Sequence, residues 1–66
     1  MMLIAIYRCF NIEAATKLVL SLDSSGQIEI VNLFGTEQAV IYKSPNIQKV
    51  SEPFEKDIEL LFQKRL

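Results

Sequence analysis

Sixty-six residues with seven basic and eight acidic side chains, no histidine and a single cysteine make one domain, residues 1–66, and exclude the usual staples of small proteins: Cys9 has no partner for an internal disulfide, and no ligand set for zinc exists. A chain this short hides only ~60% of the surface its unfolded form exposes, yet half of its residues are apolar, so apolar surface is expected to seek cover in a partner. The net charge of -1 supplies no field to draw the chain to nucleic acid or to an anionic membrane.

Met2 to Phe10 reads as a strand apolar at both parities, Leu3, Ala5, Tyr7 and Cys9 against Ile4, Ile6 and Phe10, so both of its faces want cover. The run Met1 to Tyr7 is too short to span a bilayer and has no basic region ahead of it, which sets the expectation of a cytoplasmic protein. Asn11 to Thr16 reads as a helical turn or tight connection capped by Asn11. Lys17 to Leu22 and Gln27 to Val31 alternate on either side of Asp23-Ser24-Ser25-Gly26, the pattern of a β-hairpin with Gly26 in a left-handed bulge position. The competing reading is an amphipathic helix from Ile12 to Leu22, with Ile12, Ala15, Leu18, Val19 and Leu22 on one side.

Gly35-Thr36 closes a second hairpin as a type II′ turn between Phe34 and Glu37, a register that sets Ile30 against Ile41 and Val31 against Val40. Pro45 and Asn46 make Lys43 to Val50 a connector. Ser51 as cap, acidic residues in the first turn and Lys64 and Arg65 in the last predict a helix from Glu52 to Leu66, with Phe54, Ile58, Leu61 and Phe62 on one stripe. The expected fold is α+β: an antiparallel meander of about four strands with that C-terminal helix packed on one face.

The face left open by this arrangement carries Val19, Val31, Leu33, Val40 and Tyr42, too apolar to stay wet. It is the expected interface, either with a second copy of the chain or with another protein; the bland alternative is a sheet that curls and covers this face internally. Nucleic-acid binding is the runner-up, with Tyr42 stacking a base beside Lys17 and Lys43.

Catalysis is the least favoured class. Cys9 sits in the most apolar strand, where a thiol is usually packing, the acidic cluster Glu52, Glu55, Asp57 and Glu59 reads as a solvated surface, and two distant glycines make no phosphate loop. No cofactor and no metal site is implied. Ile58-Glu-Leu-Leu-Phe62 resembles the Gln-x-x-Leu-Phe peptides that bind bacterial sliding clamps, with isoleucine in place of glutamine; Leu61 and Phe62 are read as core, and no function is carried over from five residues.

Overall fold

Strands apolar on both sides belong in the middle of a sheet, and Leu3–Cys9 is in the middle. The computed structural model describes residues 2–53 and 55–66. Among them four strands and one helix follow as β1 (Leu3–Cys9), α1 (Ile12–Ser21), β2 (Gln27–Asn32), β3 (Gln38–Ser44) and β4 (Ile58–Arg65). Neighbouring strands are all antiparallel, in the spatial order β2-β3-β1-β4. The α+β class and the four-stranded antiparallel sheet agree with the sequence reading. The meander does not, because β1 is inserted between β3 and β4.

The helix is the amphipathic one from Ile12, and the strand expected at Lys17 to Leu22 is absent. Asn11 caps it, its side-chain carbonyl accepting from Ala14 N–H at 2.7 Å, and Glu13 stands in the first turn. Ala14, Ala15 and Leu18 are buried, with Val19 and Leu22 packed beside them, a set of both parities that a two-residue period cannot bring to one face. The helix lies over β3, β1 and β4. It stops at Leu22, which is extended and whose N–H bonds the carbonyls of Leu18 and Val19.

Asp23 to Gly26 therefore joins a helix to a strand and is not a hairpin loop. Ser25 N–H bonds Asp23 Oδ1 at 3.0 Å, and Gly26 N–H bonds the Asp23 carbonyl at 3.1 Å. Gly26 is not in the left-handed region. A side chain is excluded there by crowding, since a Cβ would come within 2.4 Å of Tyr42 Cε1 and 2.7 Å of the Lys43 carbonyl.

The C-terminal helix is also replaced. Residues 58–65 form β4, an edge strand on β1, with a bulge where the register shifts between Ile6 and Tyr7. The helical charge order from Glu52 to Arg65 is a preference worth tenths of a kcal/mol per group; leaving one side of β1 unpaired would orphan its backbone groups, and pairing wins. Phe54, the first member of the expected stripe, lies outside the described residues.

The β2–β3 turn forms largely as read: Gly35 has φ 60° and Glu37 N–H bonds the Phe34 carbonyl at 3.0 Å. The next bond runs from Leu33 N–H to the Glu37 carbonyl at 2.9 Å, which inserts one extra residue on the β2 side. Ile30 then pairs with Val40 and Val31 with Ala39. One step of slip exchanges the faces of β3. Val40, Tyr42 and Ser44 turn inward to join Leu3, Ala5, Tyr7 and Cys9 under the helix, with Val50 of the 45–57 connection and Ile58 completing the core.

Candidate interaction surface

Among the described residues, helix and connection cover the same side of the sheet, so its other side is bare. The ladder arranges that side in three rows across the strands. Gln27, Lys43, Ile4 and Lys64 form the first, Glu29, Ile41, Ile6 and Phe62 the second, and Val31, Ala39, Arg8 and Glu59 the third. Ile4, Ile6 and Ile41 are half-buried by their neighbours, while Val31 is 41% and Phe62 46% exposed.

Glu29, at the β2 edge, is the one charge of the middle row, and the other charges on this face lie at its two ends. Lys43 and Lys64 flank Ile4 at one end. At the other, Arg8 is held in place, its Nη2 2.7 Å from Glu37 Oε1, its Nε donating to the same oxygen at 2.9 Å, and its guanidinium carbon 4.7 Å from the centre of the Phe10 ring. With Arg8 neutralised by Glu37, Glu59 leaves that end acidic. Opposite signs thus stand one strand length apart, with Ile41, Ile6 and Phe62 between them.

The covered side is chemically quiet. A cleft of about 510 Å³ between α1 and the connection is lined by the core residues Tyr7, Leu18, Tyr42 and Val50 and by the charged residues Lys17, Asp23, Lys49, Glu52 and Glu55. Burial pushes the Tyr7 phenol up, with Tyr42 and Glu52 adding to the rise, and burial alone pushes the Cys9 thiol up. Both stay protonated at neutral pH, which removes their nucleophilic forms. Among the described residues no group of three or more His, Cys, Asp or Glu side chains converges as a metal site, and no helix is long and apolar enough to cross a membrane.

The five expected interface residues do not form one surface. Val40 and Tyr42 are fully buried, moved inward by the slip described above. Val19 is on α1, packed against the core. Val31 lies on the bare face, and Leu33 is exposed where β2 leaves the sheet. The nucleic-acid set also disperses: Tyr42 donates its hydroxyl to the Asp23 carbonyl at 3.2 Å inside the core, Lys17 stands on the helix near Glu13, and Lys43 lies on the opposite side of the sheet. Leu61 and Phe62, expected in the core, are exposed on β4. Sequence reasoning missed Ile4, Ile6, Ile41 and Phe62, although the second apolar parity of β1 was the signal that could have found the first two. No family model, curated protein or solved structure matches the chain.

Proposed function

We propose that this chain is a small non-enzymatic interaction protein that self-associates through the bare face of its sheet. The observation that carries the reading is the apolar run Ile41, Ile6 and Phe62 of the middle row, on a face that none of the described residues covers. A second copy is the occupant its end charges suit, and Glu29, at the β2 edge of the middle row, is the one charge this stacking sets near its own copy. Two sheets stacked about a two-fold axis that runs across the strands place the Lys43 and Lys64 end of one copy over the Glu59 end of the other. The absence of histidine and the protonated Cys9 and Tyr7 support a role without catalysis.

Light scattering tests this. The wild-type protein is expected above the monomer mass of 7.5 kDa, and Ile6→Glu or Phe62→Glu is expected to lower that mass while the circular dichroism is kept. A wild-type chain that stays at monomer mass removes the self-association. A second reading has one observation in its favour, the pair Lys43 and Lys64 beside the exposed Phe62 ring, an arrangement that can stack a base and hold a phosphate. It predicts binding to single-stranded oligonucleotides that weakens with salt and with Lys43→Glu; no binding at low salt removes it.

A further inference from the structure

The two edges of the sheet are guarded unequally. β4 carries a bulge, with Lys64 and Arg65 near its end, three devices that discourage a further strand from adding. Between Gln27 and Asn32, before the extra residue at the turn, β2 has no bulge, no proline and no basic residue; its only charge is Glu29. It is also poorly sheltered on both sides, for Ile30 is 51% exposed on the helix side and Val31 41% on the other. A partner on the bare face would cover Val31 and leave Ile30 wet. A strand added alongside gives neighbours to both.

We propose that β2 is a strand-addition site and that its occupant is β2 of a second copy, paired antiparallel about a two-fold axis through Ile30. The bonding alternation decides which groups are on offer. Leu33 N–H bonds the Glu37 carbonyl, so Val31, Glu29 and Gln27 bond β3 in turn, and Ile28, Ile30 and Asn32 aim their N–H and C=O at the open edge. The far side of the sheet keeps the same phase, since Phe10 N–H bonds the Asp57 carbonyl and Met2 and Leu66 exchange both bonds.

Registers centred on a residue keep like faces together, and three of them centre on the middle of the strand. Centring on Glu29 sets that carboxylate against itself, which is destabilising. Centring on Val31 pushes Ile28 past the end of the other strand. Centring on Ile30 pairs Ile30 with itself and Ile28 with Asn32 in both directions, so every outward group of the three residues finds a partner and Glu29 faces Val31. The product is a continuous eight-stranded sheet. Its premise is the backbone of β2, and it stands whether or not the bare face is also used.

Cross-linking tests the register. Residues in a hydrogen-bonded antiparallel pair have Cα atoms ~5.5 Å apart, within disulfide range, so an Ile30→Cys variant under mild oxidant is expected to run as a covalent dimer on a non-reducing gel. Phe34→Cys, at the most exposed apolar residue of the β2–β3 turn (83%), is the collision control and is expected to lag well behind. Ile30→Pro removes only an N–H that faces the open edge, a position where an edge strand accepts proline; it is expected to lower the mass in sedimentation equilibrium with the circular dichroism kept. If that variant fails to fold, the cysteine pair decides. Equal cross-linking of the two cysteine variants overturns the proposal, and so does loss of the Ile30→Cys cross-link when Phe62→Glu is added, which would route all association through the bare face.

Discussion

The two faces of this sheet are made by the same strands and differ only in parity, yet they hold different kinds of information. On the covered face none of the buried side-chain nitrogens and oxygens among the described residues lacks a partner: Tyr42 donates to the Asp23 carbonyl, and Ser44, fully buried, accepts from Asn46 N–H at 3.2 Å. On the bare face Ile41, Ile6 and Phe62 occupy the middle beside Glu29 at the β2 edge, and the other charges are left at the ends. Odd residues of β1 specify the fold, and even ones present a surface. Substitutions of the two kinds should therefore separate, the first moving stability and the second moving association.

Tyr42→Ala is the strongest challenge to that division. Truncating a fully buried aromatic ring costs about 3–5 kcal/mol, comparable to the whole stability of so short a chain at ~0.05–0.15 kcal/mol per residue, so the variant is expected to be largely unfolded by circular dichroism. Val40→Lys, at a position that would serve an interface if it faced outward, is expected to unfold with it. A folded Tyr42→Ala protein with altered mass would place Tyr42 on a surface after all. Gly26→Ala follows at about 1–3 kcal/mol of overpacking, because its Cβ would press on the Tyr42 ring and the Lys43 carbonyl; a urea midpoint measures it.

Alkaline pH probes the covered face without a mutation. Cys9 and Tyr7 titrate above their ordinary values of 9.0 and 10.0 because burial disfavours thiolate and phenolate. The unfolded chain gives up these two protons first, so above pH 9.0 it binds fewer protons than the native one. Stability is then full below that pH and falls as pH rises through 9.0 for Cys9 and 10.0 for Tyr7. Tyr7→Phe is expected to flatten the upper part of that decline in urea titrations run at several pH values. An unchanged slope would mean that the Tyr7 phenol is solvated in the native state.

The class of the fold was legible because β1, the Gly35 turn and the Asn11 cap are local signals that agree with their surroundings. The order of the strands was not, because it turns on which segment pairs with the free side of β1, a contact between residues some fifty positions apart. Leu18, Val19 and Leu22 satisfy a helical stripe, and Leu18, Leu20 and Leu22 satisfy an alternation; Ala14 and Ala15 tip the choice to a helix. At Ile58 to Arg65 both periods were again available, and charge order favoured the one that tertiary pairing rejected. The bare face was foreseen as a principle and misplaced in detail, since a single extra residue at the Phe34 to Glu37 turn sent Val40 and Tyr42 inward and brought Ala39 and Ile41 out.

The smallest stability effect belongs to Phe62→Ser. Its ring is 46% exposed beside Ile6, so removing it from a monomer takes away little burial, and a surface change of this kind usually stays within about 0.5 kcal/mol. In a face-to-face pair the same ring is enclosed from both sides, and burying a phenylalanine contributes about 1.5–3 kcal/mol. Each pair holds two such rings. The urea midpoint of Phe62→Ser is therefore expected to match the wild type at concentrations where the wild type is monomeric and to fall below it as concentration rises. Midpoints that differ by the same amount at every concentration would show that Phe62 serves the fold alone, and the division between the two faces would fail at β4.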